Sequence, residues 1–272
     1  MSRWWRDRLT VLLRPDAIRV ERHGSVLRRP ARTTEQFAVR HGTAPAWQGA
    51  LDGLAEALAE KRWQGTDVEV ELSGHFVRWL LLPPSDAIAT DEEWEGYARM
   101  EMEAVHGERA AAWSVSLTEQ CPGEPVVACA VDSAFIEALI AVCEAGRSRL
   151  SSVAPRFSAA FDRRRQALRA PVSAFAQLEP GRATIAVIDA GKWRAITSVR
   201  CAGRWSDCLH AELTGMSALA AAGHEGGRLY VATDGVEAAL PARIGSWDVV
   251  AESVEGPAVA HGAAFQAAEV RP

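Results

Sequence analysis

The stretch Asp67-Val68-Glu69-Val70-Glu71-Leu72-Ser73-Gly74-His75-Phe76-Val77-Arg78-Trp79-Leu80-Leu81-Leu82-Pro83-Pro84 decides the fold class. From Asp67 to Leu72 polar and apolar residues alternate one by one, the period of a strand with one buried face. Ser73-Gly74 breaks the pattern. Phe76 to Leu82 is a second strand, stopped by Pro83-Pro84, which have no amide hydrogen to give to a ladder. Upstream, Trp47, Ala50, Leu51, Leu54, Ala55, Leu58 and Ala59 fall at i, i+3, i+4, i+7, i+8, i+11 and i+12. That is one continuous apolar stripe of a helix, with Gly65 beyond its end. Downstream, Thr90-Asp91-Glu92-Glu93 is a capping box opening a helix that carries Trp94, Tyr97, Ala98, Met102 and Val105 and ends near Gly107. Strands and helices alternate, so the chain is α/β.

The same grammar extends both ways. Leu9–Leu13 and Ile18–Arg22 read as a hairpin around Pro15-Asp16, with a third strand over Ser25–Arg28. Trp113–Leu117 and Val126–Val131 are strands. Asp132 caps a helix through Phe135, Leu139, Ile140 and Val142 that stops at Gly146. A further helix starts near Pro155 and runs through Phe157, Phe161 and Leu168. Ala183–Ile188 and Trp193–Val199 form a hairpin around Asp189-Ala190-Gly191-Lys192. A helix over about 206–222 and a strand over Arg228–Ala232 follow. Each half thus reads hairpin, third strand, helix, strand. This coarse duplication implies two similar α/β domains facing each other across a cleft.

Composition narrows the function. No apolar run approaches the ~18 residues of a membrane span, and Met1–Arg6 has no apolar core of a secretory signal. The expected location is therefore the cytoplasm. The five cysteines (Cys121, Cys129, Cys143, Cys201, Cys208) form no CxxC pair. Their apolar neighbours predict buried free thiols rather than disulfides or a zinc ribbon. Ten arginines against four carboxylates give residues 1–40 a charge of +6, so at −5 overall the remainder carries −11. Those arginines alternate with Leu, Val and Ile, as on solvated strand faces, and no nucleic-acid partner is expected. Of the ten tryptophans, Trp4, Trp5 and Trp205 stand beside arginines and are candidates for an interface.

The search for chemistry returns little. A nucleotide in the cleft would need a glycine-bearing turn in each half, whose amides approach phosphates. The first turn, Arg14-Pro15-Asp16-Ala17, has no glycine, and Pro15 has no N–H. In the second, Asp189-Ala190-Gly191, bulky Trp193 stands where a small or hydroxyl residue is wanted. Gly191-Lys192 is no P-loop, because no glycine stands five residues earlier. Ala232-Thr233-Asp234-Gly235 follows a strand and could open a helix beside an adenosine pocket. If Mg-ATP bound, its contacts would be Asp16, Asp189, Gly191 and Gly235. The seven histidines form no HExxH or HxxxH pair, so no metal is expected. Arg163-Arg164-Arg165 reads as the solvated face of a helix. No catalytic residue is expected, and no cofactor.

The run Glu71 to Pro83, followed by Glu92-Glu93-Trp94-Glu95-Gly96-Tyr97-Ala98-Arg99, resembles the actin-like assembly-platform proteins of type IV pili and type II secretion, the PilM and GspL group. The shared pattern is a strand ending Leu-Ser, an aromatic-x-Arg strand, a Leu-Pro turn and a Trp-x-x-x-Ala-Arg helix. It is most specific over about residues 67–110. The resemblance implies an actin-like (ribonuclease H-like) fold of two duplicated domains facing a cleft. The first would span 1–154, with a small inserted subdomain over about 73–150, and the second 155–272. It further implies a non-catalytic scaffold on the inner face of the bacterial inner membrane. Its partner would be a bitopic membrane protein of the PilN or GspM type, bound through that protein's cytoplasmic segment. The motor ATPase and a second copy of the chain are further partners in this picture. Pro15 and Trp193 place the sequence with relatives whose nucleotide site is degenerate. The candidate partner-binding residues are Phe76, Arg78, Trp79, Trp94, Tyr97 and Arg99. Ion pairs of Arg78 and Arg99 with Glu92, Glu93 or Glu95 are the alternative.

Overall fold

A computed structural model describes residues 7–24, 32–39, 45–118, 121–219 and 226–253. Strand β1 (Arg8–Leu13) buries every residue after Arg8, Thr10 included, as a mostly apolar strand covered on both faces does. It pairs antiparallel with β2 (Ala17–His23) and parallel with β4 (Asp67–Leu72). With β3 (Arg32–Ala38) and β8 (Arg149–Pro155) these make a five-stranded sheet of order β3-β2-β1-β4-β8. Helices α1 (Gln48–Ala59) and α3 (Ser133–Ala145) bury their stripes in one core with this sheet. The Asp132 carboxylate joins them. One oxygen caps α3 at the Ala134 amide (3.0 Å), and the other accepts from the Trp47 indole at the head of α1 (3.1 Å).

Between β4 and α3 the chain builds a small inserted unit. Strands β5 (Arg78–Leu82), β6 (Trp113–Leu117) and β7 (Val126–Asp132) form an antiparallel sheet of order β5-β7-β6. Helix α2 (Asp91–His106) lies on it and buries Trp94, Ala98 and Met102. Its capping box is formed. Thr90 Oγ1 accepts from the Glu93 amide at 3.2 Å, and the Glu93 carboxylate accepts from the Thr90 amide at 3.1 Å. The Ala89 amide, which also donates to this carboxylate at 2.8 Å, and the Thr90 amide hold the Glu93 carboxyl below its ordinary range.

The second sheet contains β9 (Val172–Glu179), β10 (Arg182–Asp189), β11 (Lys192–Arg200), β12 (Gly227–Thr233), β13 (Arg243–Ile244) and β14 (Trp247–Ser253), in the order β11-β10-β9-β12-β14-β13. Helix α5 (Trp205–Leu219) buries Leu209, Leu213 and Met216 against it. The strand orders superimpose: β11-β10-β9-β12-β14 repeats β3-β2-β1-β4-β8, with the same parallel and antiparallel senses. Helix α4 (Arg156–Asp162) joins the halves through Phe157 and Phe161, which pack on Phe175 of β9.

Several sequence expectations change here. The third strand placed at 25–28 lies outside the described residues, and the described third strand is β3. The helix expected from Pro155 to Leu168 ends at Asp162, because the chain must reverse between β8 and β9. Arg163-Arg164-Arg165 therefore sit in turns after α4, not on a helix. Strands β8 and β9 were not anticipated. No helix opens at Thr233–Gly235. Cys129, Cys143 and Cys201 are buried free thiols, but Cys121 is exposed. Trp205 packs against the second core, while Trp4 and Trp5 lie outside the described residues.

Candidate functional site

The parallel strands of both sheets deliver their carboxyl ends to one cleft, the place where open α/β sheets bind ligands. Register makes the two sides equivalent. Leu13 pairs with Leu72, and the Ser73 amide then donates to Leu13 O at 3.0 Å. Leu178 pairs with Thr233, and the Asp234 amide donates to Leu178 O at 2.9 Å. Arg14 therefore corresponds to Glu179, Ser73 to Asp234, and Gly74 to Gly235.

Across the cleft these positions interlock. Glu179 Oε2 accepts from the Gly74 amide at 2.7 Å and the Ser73 hydroxyl at 3.1 Å. On the other diagonal, Asp234 faces Arg14 Nη1 at 3.8 Å, Arg19 Nη1 at 3.5 Å and Arg156 Nε at 3.4 Å. Arg156, 2% exposed, also donates to Glu71 behind it. Burial alone would lower the Arg156 pKa, but Glu71 and Asp234 outweigh it and raise it. Gly235 is required here. It has a φ of +69°, and a Cβ on it would lie 1.9 Å from Arg14 Nη1. A third crossing contact joins His75 Nε2 to Pro180 O at 3.0 Å.

The cleft is thus filled by side chains of both signs. Pro15 offers no amide, and the Gly74 and Asp234 amides are already bonded. Asp16 pairs with Arg14 at 3.1 Å. Asp189 and Gly191 lie elsewhere. They belong to the β10–β11 turn, and the true counterpart of the Asp16 turn is Pro180-Gly181 between β9 and β10. Asp189, paired with Arg194 at 2.7 Å, is the length of β10 away, about 23 Å at ~3.3 Å per residue. The geometry brings Asp16 and Gly235 to the cleft and leaves Asp189 and Gly191 outside it. Glu179 and Arg156 were not singled out from the sequence, and Asp234 only as part of the run from Ala232 to Gly235. The Pro180-Gly181 dipeptide between two apolar runs was the signal that could have located the turn.

Burial pushes the Glu179 carboxyl up to about 7, against the lowering pull of the Gly74 amide and the Ser73 hydroxyl. Its unfolded value is the ordinary 4.5. The folded state therefore favours the protonated form. That advantage is full below pH 4.5, fades as pH rises from 4.5 to 7, and is gone above 7, where a buried carboxylate is carried. The difference is worth about 3 kcal/mol. Glu179→Gln keeps an acceptor for the Gly74 amide and carries no charge. Urea unfolding should show the variant gaining on wild type by roughly 2–3 kcal/mol between pH 5 and pH 8. Parallel pH profiles would contradict the burial argument.

The candidate partner-binding residues are dispersed. Trp94 is core of the inserted unit, with Tyr97 tilted against it at 6.1 Å. Phe76 packs edge-on to Phe135 at 5.2 Å. Arg99 pairs with Glu95 on the exposed face of α2. Arg78 pairs with no carboxylate among the described residues and donates to the His75 and Val77 carbonyls at 3.1 and 2.9 Å. Trp79 packs edge-on to Phe157 at 5.4 Å and lines a groove of about 670 Å³ between the inserted unit and the second sheet, which Phe161 and Trp193 also line. Among the described residues no group of three or more His, Cys, Asp or Glu could hold a metal, and no helix is long and apolar enough to cross a membrane.

No family model and no curated protein matches the sequence. Solved structures do. A Bacteroides thetaiotaomicron protein of unknown function with an actin-like ATPase fold aligns at a TM-score of 0.60 and 11% identity, over 88% of this chain and 87% of that one. The cytoplasmic domain of EpsL, an inner-membrane component of the type II secretion system of Vibrio cholerae, aligns at 0.56 and 13%, over 92% and 90%. A PilM–PilN type IV pilus biogenesis complex aligns at 0.51 and 13%, over 78% and 68%. The chain has the actin-like fold. Its two larger sheets are the duplicated actin-like halves, and the interlocked residues lie in the cleft between them. The neighbours include both groups that the stretch from Glu71 to Arg99 resembles.

Proposed function

We propose that this actin-like protein is a non-catalytic scaffold of a bacterial pilus or secretion assembly platform. It works at the inner face of the inner membrane and holds the cytoplasmic segment of a bitopic partner. The observation that carries the reading is the interlocked cleft. Arg14, Arg19 and Arg156 meet Asp234, and Glu179 meets Ser73 and Gly74, in the place a nucleotide would need. A fold that has filled its cleft with its own ion pairs retains the shape of an actin-like protein without the means to cycle on nucleotide. The likeness to EpsL and to PilM bound to PilN supports the platform role, and Trp79 in its groove is the place we assign to the partner segment. We assign no ATP, magnesium or other cofactor to it.

Co-purification from host membranes in mild detergent tests this reading. A single-span inner-membrane protein should accompany the tagged chain, and Trp79→Ala should weaken that association while leaving the melting temperature within a few degrees. Phosphate release from Mg-ATP should stay at background. Turnover of ATP, or a chain that elutes from membranes with no bitopic partner, would overturn it in favour of an actin-like ATPase.

A further inference from the structure

A second cluster, of arginines, borders the cleft where Arg182 pairs in register with Glu179. Arg182 of β10 and Arg200 of β11 stand directly opposite each other in register. Like charges so placed destabilise a sheet. Arg78 of β5, which packs against β11, faces them from the inserted unit, and Arg109, just before β6, stands beside Arg78. The electrostatic influences confirm the grouping. Burial lowers the Arg78 pKa first, then Arg182, Arg109 and Arg200. Burial lowers Arg182 first, then Arg200, with Glu179 opposing. His75 and His106 stand beside them: burial lowers both pKa values first, with the Pro180 carbonyl opposing at His75 and these arginines lowering both further.

The surrounding acids do not answer this charge. None of the four arginines makes an ion pair with a described residue. Glu179 acts on Arg182 but is committed to Ser73 and Gly74, and Asp16 reaches His75 only weakly and is committed to Arg14. The donors are not exhausted either. Arg182 gives Nη1 to Ser198 Oγ at 3.1 Å, while its Nε–H is buried without a partner. Arg109 gives Nε to the His106 carbonyl at 3.1 Å, leaving its terminal nitrogens uncommitted. Half-buried cations are ordinarily paired, so Arg78 and Arg182, flanked by exposed Arg109 and Arg200 and without a carboxylate of their own, call for an anion from outside.

We propose that Arg78, Arg109, Arg182 and Arg200 form a binding site for a phosphate-bearing anion. Arginine forks match phosphate oxygens in pairs. A single carboxylate would leave most of the cluster's charge unanswered, whereas a phosphomonoester or pyrophosphate group brings two or more charges in one small volume. The site bridges the inserted unit and the second half, so an occupant would tie the two together. A free phosphate compound and a phosphate-bearing lipid headgroup share this chemistry.

The test uses the full chain with sodium pyrophosphate, against sodium chloride at matched ionic strength. Pyrophosphate at saturation should raise Tm by roughly 5 °C or more. Exposed Arg200 is the residue to change. Arg200→Ser should weaken pyrophosphate binding at least about tenfold in calorimetric titration, the scale of one lost charge-assisted bond. Because it relieves repulsion, it should leave the ligand-free Tm unchanged or higher, where a merely structural arginine would lower it. Arg243→Ser, which removes a remote exposed arginine paired with Asp248, should bind as wild type. Flotation with phosphatidic acid vesicles against phosphatidylcholine vesicles separates the sources. Capture by the former, released by pyrophosphate, assigns a headgroup, and pyrophosphate binding without capture assigns a free phosphate compound. Failure of both, or an Arg200→Ser protein that binds like wild type, overturns the site.

Discussion

Replacing Arg156 by Leu should destabilise the protein by about 3–5 kcal/mol, the ordinary consequence of leaving buried charge without its partner. Glu71 would be stranded and Asp234 left with only the longer contacts to Arg14 and Arg19, because the two carboxylates are 5% and 4% exposed and both lean on this guanidinium. For a chain of this length the fall in Tm should be roughly 10 °C. Arg156→Leu combined with Glu71→Leu and Asp234→Asn removes the stranded charges and should recover most of the loss, since well-packed apolar groups often replace buried ion pairs without penalty. A single variant that loses less than about 1 kcal/mol would mean that water reaches the cleft and the network is only a surface one.

Phe135→Ala should cost a similar amount, about 3–5 kcal/mol, by a different route. Phe135 is fully buried, stacked on Trp47 at 5.1 Å and met edge-on by Phe76 at 5.2 Å. Its loss leaves an aromatic-sized hole where α1, α3 and the start of the inserted unit meet. Hydrogen exchange should locate the damage, with protection falling in α1 and α3 while β9, β10 and β12 keep theirs. Uniform loss of protection over both halves would show instead that the two unfold as one cooperative unit.

The fold was legible where local pattern and local packing coincide. The alternation of Asp67–Leu72, the stripe from Trp47 to Ala59 and the Thr90–Glu93 capping box became β4, α1 and α2. Strand β9 was not legible, because Val172-Ser-Ala-Phe-Ala-Gln-Leu-Glu carries two alanines and three polar residues that solvent never sees. With β9 missing, the second hairpin was read one strand too late, and Asp189-Gly191 took the place that belongs to Pro180-Gly181. The cleft was hidden for a related reason. Glu179 finds Gly74 across 105 positions of chain, and no local window records such a meeting. Arg163-Arg164-Arg165 drew attention as a run, while Arg156, one arginine beside a proline, is the cation at the centre of the network.

The pseudo-twofold relation between Arg14 and Glu179, and between Ser73 and Asp234, bears on how the duplicated chain can change. In a pair of identical halves each diagonal would repeat the same contact. Here one diagonal sets a carboxylate against a hydroxyl and an amide, and the other sets an arginine against a carboxylate. Each half is therefore cut to fit only its sister. Two first halves would set Arg14 against Ser73, and two second halves would set Glu179 against Asp234, carboxylate on carboxylate. The descendants of this duplication can drift at the four positions only in matched pairs, and separated fragments should reassemble in the native combination and in no other.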